Sequence, residues 1–127
     1  MHFILIVFPI CFDKWNYIET FINNNLIVID NKKIILNEQD KFDLIKLLYD
    51  GEDWIGNTSN NFEGIYYKMN ACFPNGYNMV NIYYVISDID KIKKIKKKIR
   101  NYCNCGNHSI HSTDNKEEAL KVKLKYF

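Results

Sequence analysis

The feature that most constrains the fold is an uninterrupted apolar run near the start of the chain, Phe3 to Ile10. A run of strand length in which every side chain is apolar must be covered on both faces, which is typical of a central strand. Pro9 and Asp13 interrupt it too early for a membrane span, and it lacks the basic start and the cleavage site of a secretory signal. The run therefore predicts a buried first strand, and we expect no membrane partner.

The rest of the chain alternates between helical and strand patterns. Apolar residues recur at helical spacing after three candidate capping residues, Asp13, Asn37 and Asp88. Strand patterns follow at three further places, Leu26 to Leu36, Met79 to Ile86 and Ser109 to His111. The order βαββαβ, with extra helical pieces and a closing helix, predicts an α+β protein: a ferredoxin-like sandwich with an antiparallel four-stranded sheet and helices packed on it. No linker or repeat divides the 127 residues, so residues 1–127 are predicted to form one domain.

Two stretches are less regular. The polar residues Asp30 to Lys33 are either a hairpin turn or an exposed part of one long strand, and we favour one strand. Residues 51–61 are rich in Gly, Asn and Ser, which is typical of a loop, and Trp54 is a large side chain that a loop can use as an anchor or a contact. A short helix is expected from Phe62 to Met69.

Positive charge is concentrated in one segment. The chain has 17 basic and 15 acidic residues, and seven of the basic ones lie between Lys91 and Arg100. Such a segment is most often an amphipathic helix with a solvated basic face. The functional alternatives are a grip on the phosphates of a nucleotide and a footprint for nucleic acid, and we consider nucleic acid the less favoured partner.

The four cysteines, Cys11, Cys72, Cys103 and Cys105, do not have the spacing of a disulfide framework. Free thiols in a reducing compartment are expected instead, which favours a cytoplasmic location. Cys103 and Cys105, followed by His108 and His111, are metal-ligating residue types close together in sequence. Their spacing is not that of a zinc finger, so we predict no metal site.

The densest chemical pattern runs from Gly106 to Ala119. Asp114, with Glu117 three residues later, predicts the capping box of a final helix. His111 would then stand between a strand end and a helix start. The first turn of a helix has unpaired N–H groups and the positive end of the helix dipole, so it can hold a phosphate. A lone histidine in such a turn is more often structural than catalytic, but beside a phosphate site it is suited to accept a phosphoryl group.

The same stretch resembles the active-site segment of nucleoside diphosphate kinases, in which Gly-x-Asn-x-Ile-His-Gly-Ser-Asp precedes a helix that contains Glu and Ala and closes on an aromatic residue. Here the run is Gly-Asn-His-Ser-Ile-His-Ser-Thr-Asp, from Gly106 to Asp114, followed by Ala119 and the terminal Tyr126-Phe127. The first strand is also similar to that of the family. The resemblance implies the nucleoside diphosphate kinase fold, phosphoryl transfer through a phosphohistidine, and assembly into a homo-oligomer.

The resemblance further implies roles for individual residues. His111 falls on the histidine that carries the phosphoryl group, and Thr113 on a hydroxyl residue beside it. His108 replaces the family's Asn and could position a phosphate or a sugar hydroxyl. The other expected contacts to phosphate or nucleotide are Lys96, Arg100, Phe62 and Ile65. The implied substrate is a nucleoside di- or triphosphate with Mg²⁺ bound to its phosphates.

The chain also departs from the family pattern. Phe8 stands where the family has a phosphate-contacting Lys, and Val122 where it has the Glu that orients the catalytic His. The loop with Pro-Gly-Thr-Ile-Arg is missing, because few residues separate Arg100 from Gly106. Two functions are therefore open: a phosphotransferase with a divergent nucleotide site, and a non-catalytic nucleotide-binding or protein-interaction module of the same fold.

Overall fold

The computed structural model describes residues 1–127 and contains four strands and five α-helices. Their bounds are β1 His2–Val7, α1 Trp15–Asn25, β2 Ile27–Ile35, α2 Glu38–Leu48, α3 Glu63–Cys72, β3 Met79–Ile86, α4 Ile89–Cys103, β4 Ile110–Ser112 and α5 Lys116–Tyr126. Short 3₁₀ turns lie at Pro9–Lys14, Asp53–Ile55, Thr58–Asn60, Pro74–Gly76 and Gly106–His108. None of the helices has both the length and the apolar character that crossing a membrane requires.

The four strands form one antiparallel sheet in the order β2-β3-β1-β4, as predicted. β1 lies inside the sheet, between β3 and β4, and the side chains from Phe3 to Phe8 are at most 1% exposed. The polar residues Asp30 to Lys33 belong to β2, which confirms one long strand, with an irregularity between Val28 and Asp30. β4, by contrast, is a three-residue strand at the sheet edge.

Helices cover both faces of the sheet. α1 and α4 cover one face, with Ile18 and Ile95 packed among Phe3, Leu5 and Ile110. α2, α3 and α5 cover the other face, with side chains such as Leu44, Ile65 and Val122 packed among Ile4, Ile6 and Ile82. Each core removes apolar area from water on one side of the sheet, and this explains why β1 tolerates no polar residue between Phe3 and Phe8.

The helix starts are partly those predicted. Asn37 and Asp40 form a capping box at the start of α2, and the Asp88 side chain accepts a hydrogen bond from the Lys91 amide at the start of α4. Asp13 does not cap α1, because it lies within a 3₁₀ turn and the helix begins at Trp15 with no side-chain cap.

Candidate active site

His111 lies in the middle of β4, and the pairing of β4 with β1 decides which way its side chain points. His111 is opposite Ile6, and residues opposite each other in a sheet share a face. Ile6 belongs to the core beneath α2, α3 and α5, so the imidazole also points to that side. The neighbouring Ile110 points to the opposite core. The ring is 9% exposed.

Glu118, in the first turn of α5, holds the imidazole. Its Oε1 lies 2.9 Å from Nε2 of His111, and its Oε2 accepts a hydrogen bond of 3.1 Å from the Asp114 amide. Burial by itself would raise the pKa of Glu118, but the hydrogen bonds from His111 and Asp114 outweigh it, so that the pKa lies below its usual value. An ionised carboxylate at Nε2 keeps the proton on that nitrogen, which leaves the lone pair of a neutral imidazole on Nδ1.

Nδ1 of His111 is free to react. It has no hydrogen-bond partner in the protein, and it is not among the buried polar atoms that lack one, so solvent reaches it. The Tyr49 ring packs edge-on against the imidazole, with ring centroids 4.9 Å apart. Tyr49 is packed in turn against Trp54, with centroids 5.0 Å apart. The histidine is thus held by a carboxylate on one side and an aromatic ring on another.

The imidazole opens into a cavity of about 370 Å³. Aromatic, cationic and polar side chains line it: Tyr49, Glu52, Trp54, Tyr67, Lys68, Arg100, Asn107, His108 and His111. Trp54 is 44% exposed and Tyr67 is 68% exposed, so one rim of the cavity offers aromatic surface to solvent. Three of the predicted site residues, His111, His108 and Arg100, therefore meet at one cavity.

Lys68 is a site residue that sequence analysis missed. Its side chain is 6% exposed, and its Nζ donates hydrogen bonds to the Asn107 carbonyl (2.9 Å) and to Nδ1 of His108 (3.0 Å). The same Nζ lies 5.3 Å from the centre of the Tyr49 ring. Burial lowers the pKa of Lys68, and the charge of Arg100 lowers it further. The sequence did contain one signal for this residue: Lys68 lies on the apolar face of α3, where charged residues are rare.

His108 lies in the 3₁₀ turn Gly106–His108, and Lys68 fixes its state. Burial lowers the pKa of His108, and the charge of Lys68 lowers it further. Because Lys68 donates to Nδ1, the neutral ring carries its proton on Nε2 and can donate a hydrogen bond from that nitrogen.

Arg100 reaches the cavity from α4, whereas Lys96, on the same helix, is not part of its lining. One terminal nitrogen of the Arg100 guanidinium donates to the Ile110 carbonyl at 3.2 Å, and its Nε is buried without a partner. Burial and the charge of Arg100 lower the pKa of Lys96, while the charges of Asp114 and Glu118 act against them. Lys96 therefore lies within electrostatic range of Glu118, the partner of His111.

Three predicted contacts need correction. Thr113 has no exposed surface, because its Oγ1 accepts a hydrogen bond from the Ile4 amide and its own amide donates to the Ile4 carbonyl, each at 3.0 Å. Ile65 is fully buried in the core beneath α3. Phe62 is partly buried and packs edge-on against Phe42, with centroids 5.6 Å apart, outside the cavity that contains His111. Thr113 and Ile65 present no surface to a nucleotide.

The predicted phosphate site at the helix start also needs correction. The N-cap of α5 is Asn115, whose side chain accepts from the Glu118 amide, rather than Asp114. The helix start faces a cavity of about 260 Å³ that holds five carboxylates and one lysine: Asp50, Glu52, Asp114, Glu117, Glu118 and Lys121. These carboxylates occupy the positive end of the helix dipole and repel a phosphate from it.

The orienting carboxylate was expected to be missing at Val122. Val122 is indeed fully buried among apolar neighbours. Glu118, one helical turn earlier, contacts His111 instead. The family resemblance pointed to position 122 alone for this carboxylate. Residues i and i+4 of a helix share a face, however, so Glu118 of α5 lies on the same side as Val122 and can reach His111.

No group of three or more His, Cys, Asp or Glu side chains in the structure is arranged to hold a metal ion. In particular, the fold does not gather Cys103, Cys105, His108 and His111 into such a group, and all four cysteines are free thiols.

The structure is similar to two solved structures. One is the nucleoside diphosphate kinase of Aquifex aeolicus, with a TM-score of 0.61 and 14% identity over 99% of this chain and 94% of that chain. The other is a nucleoside diphosphate kinase family protein from Babesia bovis, with a TM-score of 0.53 and 13% identity over 99% of this chain and 87% of that chain. No protein-family model and no curated protein sequence matches the chain. The chain therefore has the nucleoside diphosphate kinase fold, in a divergent form, as its sequence led us to expect.

Proposed function

We propose that the protein is a phosphotransferase that works through a phosphohistidine on Nδ1 of His111, with a nucleoside triphosphate as donor and a nucleoside diphosphate as acceptor. The observation that carries the proposal is the state of His111. Its Nε2 is hydrogen-bonded to the half-buried carboxylate of Glu118 at 2.9 Å, and its Nδ1 has no hydrogen-bond partner in the protein. That arrangement leaves a lone pair on the nitrogen that a substrate can reach.

The reaction follows from this geometry. Nδ1 attacks the terminal phosphorus of the donor, a nitrogen–phosphorus bond forms, and the bond to the bridging oxygen breaks, so that the nucleoside diphosphate leaves with the electron pair. Glu118 stabilises the positive charge that develops on the ring. In the second half, a terminal phosphate oxygen of the acceptor attacks the phosphohistidine, and the nitrogen–phosphorus bond breaks. Mg²⁺ would enter with the phosphates and neutralise part of their charge.

The cavity supplies contacts for both ends of such a substrate. Arg100 and Lys68 are the cations that line the cavity with His111, and Lys96 lies one turn from Arg100 on α4. His108 can donate from Nε2 to a phosphate or to a sugar hydroxyl. The exposed face of Trp54, on the aromatic rim, is suited to stack on a base.

Labelling tests the proposal directly. Incubation with γ-labelled ATP and Mg²⁺ should label the protein, and the label should be lost in acid, as expected for a phosphohistidine. His111→Ala should abolish the label. His2→Ala is the matched control, because His2 lies on β1 and stacks on Tyr84 away from the cavity, so its label should remain. An unlabelled wild-type protein would rule out the transfer.

A second function is favoured by the limited exposure of the ring, which is 9%. A non-catalytic module of the same fold could use the cavity to bind a nucleotide without transferring phosphate. Calorimetric titration with ADP separates the two functions: binding together with labelling supports the enzyme, and binding without labelling supports the module.

Self-association, which the family resemblance implies, is tested by sedimentation of the same samples.

A further inference from the structure

A second cavity lies beside the first, along the C-terminal half of α4. Its volume is about 560 Å³, larger than the 370 Å³ of the cavity that contains His111. We call it the basic groove, after its lining: Lys93, Lys96, Lys97, Arg100, Asn101, Asn104, Gly106 and Asn107. The four cations follow the spacing i, i+3, i+4 and i+7, which places them on one face of the helix.

The cations of the basic groove are not neutralised within the protein. The ion pairs of the structure are Lys33 with Glu19, Lys41 with Glu38, and His111 with Glu118, so none of them involves the groove. No carboxylate lines the groove. Four like charges that share a concave surface without counter-charges create a positive potential that favours an anion.

The basic groove adjoins the cavity that contains His111. Arg100 and Asn107 line both cavities. Arg100 also donates a hydrogen bond to the Ile110 carbonyl of the edge strand β4, next to His111. An anion in the groove would therefore extend toward Nδ1 of His111.

The lining also indicates the class of anion. Sequence-tolerant binding of single-stranded nucleic acid combines cations with aromatic side chains on which bases stack. The basic groove has cations and side-chain amides but no hydrophobic or aromatic residue, so it offers nothing to a base. Lys93 and Arg100 lie seven residues apart, roughly 10 Å along the helix axis. A path from Lys93 past Arg100 to His111 is longer still, and it exceeds the length of the three linked phosphates of a nucleoside triphosphate.

We propose that the basic groove binds a linear polyphosphate chain, and that His111 takes the terminal phosphoryl group of that chain as an alternative to the nucleoside triphosphate. The inference rests on the proposed phosphohistidine. Nδ1 forms a bond to the terminal phosphorus, the bond from that phosphorus to its bridging oxygen breaks, and the chain leaves one phosphate shorter with the electron pair on that oxygen. Transfer from His111 to a nucleoside diphosphate then regenerates the free imidazole.

Binding is tested with inorganic polyphosphate and matched double variants. Lys93→Gln with Lys97→Gln removes two charges from the basic groove. Lys94→Gln with Lys98→Gln removes two charges from the same helix, but these lysines line a different cavity beside Asp88 and Asp90. The groove variant should lose roughly tenfold in affinity for polyphosphate at low salt, and the control variant should lose much less. Equal losses in both variants would overturn the groove as the site. Circular dichroism of each variant verifies that α4 is intact.

Transfer is tested by the formation of ATP from ADP and polyphosphate. The wild type should form ATP, and the groove variant should form it about tenfold more slowly at subsaturating polyphosphate while keeping its label from γ-labelled ATP. If ATP labels His111 but polyphosphate neither binds nor yields ATP, this inference fails and the proposed function stands. If polyphosphate binds but neither donor labels His111, the proposed function fails, and the transfer step with it.

Discussion

The two helix ends beside His111 carry opposite charges. The start of α5 faces a cavity with five carboxylates and one lysine, whereas the C-terminal half of α4 lines a larger cavity with four cations and no carboxylate. Each arrangement suits its own helix, because acidic residues are favoured at the start of a helix and basic ones at its end. The start of α5, although it offers backbone amides, supplies His111 with a carboxylate, whereas the charge that favours a phosphate lies on α4.

The largest effect that would test this comparison is expected from Glu118→Gln. The amide can still accept a hydrogen bond from Nε2 of His111, but it cannot stabilise charge on the ring. The rate of phosphoryl transfer should fall on the order of 100-fold with little change in KM. Glu117→Gln is the control, because Glu117 lies in the same acidic cavity and has no contact with His111. Equal losses in both variants would mean that the overall negative charge of this cavity, rather than the hydrogen bond from Glu118 to His111, determines the rate of transfer.

The next effect concerns the sign of the charge in the basic groove on α4 and in the acidic cavity at the start of α5. Lys97→Glu places a carboxylate in the basic groove, and the affinity for polyphosphate, measured by calorimetry, should fall roughly tenfold at low salt. Lys121→Glu makes the same change in the acidic cavity, where no phosphate is expected, and its effect should be small. If Lys121→Glu weakens binding more than Lys97→Glu, phosphate approaches from α5 and the comparison is reversed.

A smaller effect separates the two candidate caps of α5. Asn115→Ala removes the side chain that accepts from the Glu118 amide, and it should lower the free energy of unfolding by about 1 kcal/mol. Asp114→Ala keeps the backbone amide that donates to Glu118, so its effect should lie within about 0.5 kcal/mol. Urea unfolding of both variants measures the difference. A larger loss for Asp114→Ala would restore the cap that the sequence predicted.

The smallest effect is the pH dependence of stability. The folded pKa of Glu118 is depressed, so its contribution is present above the unfolded pKa of about 4.3 and is lost as pH falls through the folded value. The folded pKa of His108 is also depressed, and because the unfolded chain takes up this proton first, stability should begin to fall below about pH 6.5. Thermal unfolding against pH should show both slopes, with Glu118→Gln flattening the lower one and His108→Asn the upper one. If Glu118→Gln and His108→Asn leave the slopes unchanged, the slopes do not arise from the titration of Glu118 and His108.

The parts of the fold with strong local signals could be predicted from the sequence. The apolar run of β1, the capping box of α2 and the stripe of Ile92, Ile95 and Ile99 on α4 each carry their own periodicity. The element order then leaves few ways to arrange one antiparallel sheet. Trp15 shows the limit, because α1 begins there without a capping residue and packing alone fixes its start.

The candidate site could be predicted only in part. His111, His108 and Arg100 were found because a short motif and a charge run point to them. Thr113 was assigned to a phosphate because the family resemblance places it on a hydroxyl residue, but its hydroxyl accepts from the Ile4 amide of β1, just beyond the end of β4. Backbone groups at a strand end need partners, and a nearby hydroxyl meets that need before a ligand does.

By itself, the sequence determined the elements, their order and the histidine, since these depend on periodicity and on residues close together in the chain. Only the tertiary structure decided what surrounds the histidine. Glu118 and Tyr49, from α5 and the end of α2, contact His111, and Lys68 of α3 lines the same cavity, because the sheet packs those helices against one face. Such encounters depend on side-chain direction and burial across distant segments, which no local pattern encodes.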